Sequence, residues 1–203
     1  MSEEKLGVKD VIYGVIVPCI IGLLIAIFPH YLKPNLDPTL AAILVDGLAE
    51  AILIIGVPML FGLIWNQWAG GAAGFLMGAI YALYVNDTFV AAGVYTETVY
   101  AGGMAGDISN LGYVICAMLT GYIAGALTKG SFAFKRMLVA GIVSGIVGGL
   151  FLLWTQLISP FGMVTDIGYN LFITLLPRII YGVVIPIIAK VISWYGITPR
   201  RQY

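Results

Sequence analysis

The chain has 203 residues, of which 61% are hydrophobic and 10% charged, and its ten basic and ten acidic side chains cancel to a formal net charge of zero. Soluble domains carry roughly 25% charged residues; this composition excludes an ordinary water-soluble domain, and the neutral total offers no footing for nucleic acid. The long, uniformly apolar runs also exclude a β-barrel, whose strands alternate over about ten residues, and leave the α-helix as the way to satisfy backbone polar groups in hydrocarbon.

The expected fold is all-α: a polytopic transmembrane helical bundle, one integral membrane domain over residues 1–203, with about six spans. The first, Val11 to Tyr31, follows the mixed-charge segment MSEEKLGVKD and has no small-residue cleavage site before Pro29 and His30, which reads as a retained span and not a signal peptide. The second, Thr39 to Trp65, is long enough to tilt or to bend at Pro58. The third, Gly70 to Val85, is short: its 16 residues rise only about 24 Å, so the helix has to begin at Trp68, run past Asn86 or break locally.

A long apolar and aromatic connection, Asn86 to Asp107, follows, and reads first as a loop resting on the membrane surface. The remaining spans are Ile108 to Thr128, Met137 to Ile158 and Tyr169 to Trp194. Internal similarity is visible twice. IYGVIVP (Ile12 to Pro18) matches IYGVVIP (Ile180 to Pro186), and the third and fifth spans align at an offset of 70 residues, placing Gly71 on Gly141 and Gly78 on Gly148. Transporter folds are often built from such repeats.

Basic residues set the orientation. With the N-terminus cytoplasmic, Lys5, Lys9, Lys129, Lys135, Arg136, Lys190, Arg200 and Arg201 fall inside and Lys33 alone falls outside, which places both termini in the cytoplasm. Trp65, Trp68 and Trp194 then lie at the inner interface, and Tyr31, Tyr84 and Tyr169 at the outer one, as an aromatic belt requires.

The residues that stand out chemically are Asp46 and Glu50, four apart on one face of the second span. Counted from Thr39 they lie about 10 and 16 Å deep, close to the middle of a hydrocarbon core about 30 Å thick. Arg178 enters the sixth span from the same side and lies about 12 to 14 Å deep. Ionisable groups at that depth face the bundle interior and pair, so Asp46, Glu50 and Arg178 form the candidate substrate or ion site. A plain internal ion pair that fixes helix register is the alternative role. Asn110, Gln156, Asn170 and Thr174 are candidates to line a cavity or to satisfy helix ends.

Glycines recur at four-residue spacing as Gly70, Gly74 and Gly78, as Gly121 and Gly125, and as Gly141, Gly145 and Gly149. Small residues let helix backbones approach in lipid, so these mark packing faces, within the chain or toward a neighbour. Cys19 and Cys116 lie in apolar runs and read as buried, inert thiols. No nucleotide loop, metal cluster, nucleophile elbow or HExxH is present, so no enzyme activity, cofactor or metal is expected.

Six short spans with both termini inside resemble the layout of the substrate-binding membrane components of vitamin and metal uptake systems; no signature residues accompany the likeness and no residue role is taken from it. The reading that follows is a multi-pass cell-membrane protein in contact with the lipid bilayer, acting as a transport or permeation unit for an ion or small solute. The alternative is a noncatalytic integral membrane subunit, joined to copies of itself or to other membrane subunits through its glycine faces.

Overall fold

The computed structural model describes residues 48–91, 108–159 and 166–195, together with Ile12, Ile16, Val17 and Ile20. The span expected at Val11 to Tyr31, the start of the second span with Asp46, Cys19, and residues 92–107 of the long connection lie outside the described residues. Among the described residues the chain is helical and contains no strand. Its long elements are α1 (Leu48–Ile64), α2 (Gln67–Ala91), α3 (Ile108–Thr128), α4 (Phe134–Ile158) and α5 (Ile167–Trp194). Three of them are long and apolar enough to cross a membrane, over Asn110–Thr128, Phe134–Ile158 and Ile167–Trp194, while α1 is a shorter apolar helix.

The boundaries of α2 and α4 differ from expectation because the end of an apolar run does not mark the end of a helix. The apolar run of the third span begins at Gly70, but the helix begins at Gln67, because Asn66 Oδ1 accepts the Ala69 N–H at 2.7 Å and caps it. The helix then passes through Asn86 and Asp87 to Ala91. Polar residues end an apolar run without ending a helix; glycine and proline do that, and the next glycine is Gly93. Residues 86–91, read as part of the connection, are therefore helical, which is the run past Asn86 that the short third span allowed. Likewise α4 starts at Phe134, taking Lys135 and Arg136 into its first turn.

Trp65 and Asn66 alone separate α1 from α2, and residues 129–133 separate α3 from α4. The second turn is made by Lys129 and Gly130 in the left-handed region, at φ 48° and 74°. It is held by side chains from two helices: Arg136 Nε donates to the Leu127 carbonyl at 2.8 Å and Lys190 Nζ to that of Phe132 at 2.9 Å. At the far end Asp166 Oδ1 caps α5, accepting the Gly168 and Tyr169 N–H groups at 2.8 and 3.2 Å.

The helices meet through glycine. A Cβ on Gly70 would strike the Gly121 carbonyl oxygen and lie 2.7 Å from Gly62 Cα, so the backbones of α1, α2 and α3 converge at one crossing. Gly74 faces Ala117 and Gly78 faces Val114 along the same seam, and Gly125 faces Asn66 and Gln67. On the other side of α3, Gly148 of α4 lies against Thr120 and Cys116. Gly141 of α4 and Gly182 of α5 face each other's backbones. The order of packing is α2 on α3, α3 on α4 and α4 on α5, with α1 laid across α2, α3 and α5.

The consequence is an exterior more apolar than the interior seams. On α4 the buried positions include Ala140, Gly141, Ser144, Gly145, Gly148 and Gly149, while Val139, Val143, Val147, Leu150 and Trp154 are exposed. Their three- and four-residue spacing makes one outward stripe. On α5 Phe172, Ile179, Ile180 and Ile187 are exposed in the same way. Helices that pack through small residues and present large apolar ones outward suit lipid and not water.

Candidate functional site

Glu50 ends the described α-helical turn Leu48–Glu50, and a six-residue π-helical stretch, Ala51–Gly56, follows at once. The wide turn is closed by the Val57 N–H donating to the Ile52 carbonyl, five residues back. Pro58 supplies the cause. In a continuous α-helix its ring would collide with the carbonyl four residues earlier, and it has no N–H to offer. The π stretch lets a fresh α segment, Val57–Ile64, start with Pro58 in its first turn, where proline is tolerated. At Pro58, where the sequence allowed a tilt or a bend, the helix changes type just before the proline.

Arg178 lies in the middle of α5 and is 3% exposed. Room for it comes from α4: a Cβ on Gly149 would sit 2.7 Å from Arg178 Cδ, and one on Gly145 would sit 2.8 Å from the Arg178 carbonyl oxygen. Its Nη2 donates to Glu50 Oε1 at 2.6 Å, and its Nη1 donates to the Thr174 carbonyl of the preceding turn at 2.8 Å. The Cys116 side chain of α3 lies beside the guanidinium. Arg178 Nε is buried and has no hydrogen-bond partner. The two ends of the pair differ in access: the Glu50 side chain is 31% exposed and that of Arg178 is 4% exposed.

Three buried hydroxyls nearby are satisfied on their own helices. Thr120 donates to the Cys116 carbonyl at 2.8 Å, Ser144 to that of Gly141 at 3.0 Å, and Thr155 to that of Leu152 at 2.7 Å. Such back-bonding occupies the donor and makes these groups helix furniture. Among the described residues, Arg178 keeps an unpartnered buried Nε and Glu50 a partly exposed carboxylate in the middle of the bundle.

Of the sequence candidates, the structure brings Glu50, Arg178 and the Thr174 backbone together, and Asp46 lies outside the described residues. Gln156 is half-buried and within reach of the Tyr113 side chain, tying α4 to α3. Asn110 is half-buried near the start of α3. Asn170 Nδ2 donates to the Asp166 carbonyl at 2.7 Å, so this amide closes the first turn of α5 and does not line a site. Cys116 is free and buried. Among the described residues no group of His, Cys, Asp and Glu could hold a metal ion.

Sequence reasoning missed Gly62, Gly112, Gly148 and Gly182, all of which make close backbone or hydroxyl contacts. Gly62 and Gly112 carry no four-residue partner in sequence, and Gly148 stands one place off the Gly141, Gly145, Gly149 series because it faces a different helix. Gly182 had a signal in the IYGVVIP repeat, where a glycine four residues before a proline marks a freed carbonyl. No protein-family model, no curated protein and no solved structure matches the chain.

Proposed function

We propose that the chain is a six-span cell-membrane protein with both termini in the cytoplasm, and that it is a noncatalytic transport or permeation unit for a cation, proton or small solute. The observation that carries the reading is the asymmetric ion pair, sealed at Arg178 and open at Glu50. A pair that only fixed register would be equally served by burial of both ends; a carboxylate left accessible midway along the bundle is where a cation or proton can exchange. Asp46, one helical turn before Glu50 in the sequence, would add negative charge on the same approach. In the alternative, a subunit docking through glycine faces, those faces would be free for a partner; among the described residues they are occupied by the chain's own helices.

The test is reconstitution into liposomes loaded with a pH-sensitive dye, under imposed proton, Na⁺ or K⁺ gradients. Wild-type protein should show flux for one of them, and Glu50→Gln should reduce it at least tenfold in protein that remains folded. Absence of flux for all three ions, or unchanged flux in a folded Glu50→Gln variant, would remove the cation reading.

A further inference from the structure

We propose that the π-helical stretch Ala51–Gly56 is a register switch, whose movement by one step toward the N-terminus turns Glu50 away from Arg178. The proposal deepens the reading of this pair as the polar site and rests on it for its functional meaning.

A π turn holds one more residue than an α turn, so the stretch stores a single residue inside the helix. On its C-terminal side the chain is locked. Gly62 lies against the backbone of Gly121 and Gly125, and the Pro58 carbonyl oxygen stands 2.9 Å from where a Cβ on Gly121 would be. Arg178 is equally fixed, between the Thr174 carbonyl and the shelf made by Gly145 and Gly149. On the N-terminal side, Leu48 is 50% exposed, Ala49 is buried, and Glu50 reaches across to α5 through one ion pair. A change of register with that side in place moves Glu50 and repacks Leu53, Ile54 and Ile55 inside the bundle.

When the stored residue passes N-terminal to Glu50, the turn between Glu50 and Gly56 becomes α-helical. Glu50 then rotates by about 100° and shifts by about 1.5 Å. A carboxylate held at 2.6 Å loses its contact, and the enclosed guanidinium cannot follow. The backbone exchanges each five-residue hydrogen bond for a four-residue one, so the count is nearly conserved. Pro58 sets the resting state, because the α register would press its ring on the Ile54 carbonyl and leave that carbonyl unpaired.

Two variants separate the states. Deleting Ile52 together with Pro58→Ala removes both the stored residue and the ring that bars an α turn, so the stretch becomes α-helical with Glu50 still in phase with Arg178 and nothing left to shift. Pro58→Ala restores the missing N–H and favours the α register with Glu50 out of phase. Thermal unfolding of the full chain in detergent and hydrogen exchange by mass spectrometry supply the readouts.

Glu50→Gln should lower the Tm in the wild-type background, by the same amount in the deletion background, and by less than half as much in the Pro58→Ala background. Amides of 50–57 should exchange at least tenfold more slowly in the deletion variant than in the wild type. An equal Tm effect in wild type and Pro58→Ala, or unchanged exchange on deletion, would overturn the switch. If the deletion variant does not fold, the Pro58→Ala comparison decides alone. Neither readout involves flux, so wild-type liposomes that transport nothing would remove the functional reading and leave the switch to these measurements.

Discussion

Arg178 places a guanidinium where neither water nor lipid can serve it, and its neighbours answer unequally. Removing Glu50 leaves the buried cation uncompensated, a loss typically of about 3–5 kcal/mol. Removing Arg178 leaves a carboxylate that is 31% exposed and so less enclosed than the guanidinium. Glu50→Gln should therefore destabilise the protein more than Arg178→Gln, and the double variant should lose less than the two single losses together. Unfolding in detergent checks this, and strictly additive effects would deny the coupling. The level of the pair was legible from helix rise counted from Thr39 and Tyr169. Its shelf was not, because Gly145 and Gly149 belong to a different helix and become a receptacle for arginine only when α4 and α5 cross.

Among the elements, the seam between α2 and α3 shows that glycine spacing is readable while its partners are not. Gly71 and Gly121 both sit in glycine-rich helices. A Cβ on Gly71 would meet nothing nearer than 3.6 Å, whereas one on Gly121 would run into the Gly70 carbonyl. Gly71→Ala should be neutral or stabilising by up to about 1 kcal/mol, since alanine is the better helix former. Gly121→Ala should destabilise by several times that amount, because a backbone contact cannot rotate out of the way. Equal melting temperatures for the two variants would show that the seam is looser than described. At α5, Pro186 frees the Gly182 carbonyl, which turns to the Gly141 Cα where no side chain stands, the arrangement of a weak C–H···O contact. The span Ile108 to Thr128 kept its sequence-read limits as α3. Those of α2 shifted because hydropathy locates the apolar part of a helix and capping locates its ends.

For the whole molecule, the described basic residues Lys129, Lys135, Arg136 and Lys190 gather at one end with Trp65, Trp68 and Trp194, and Asp166 caps α5 at the other. In a background with Cys19→Ser and Cys116→Ala, a cysteine at Ser131 should react with an impermeant reagent only after permeabilisation, and one at Ile167 should react from outside. The reverse pattern would invert the proposed orientation. What sequence could not supply at this scale is the order in which helices touch, since that depends on which small residues meet. The Glu50–Arg178 bond joins residues 128 apart in the chain. At a synthesis rate of about 5–20 residues per second, Glu50 leaves the ribosome on the order of ten seconds before its partner exists. Arginine at a helix centre opposes insertion by roughly 2.5–3.5 kcal/mol, so α5 should enter a bilayer most readily where the earlier carboxylate is already waiting, with α1 made first to receive it.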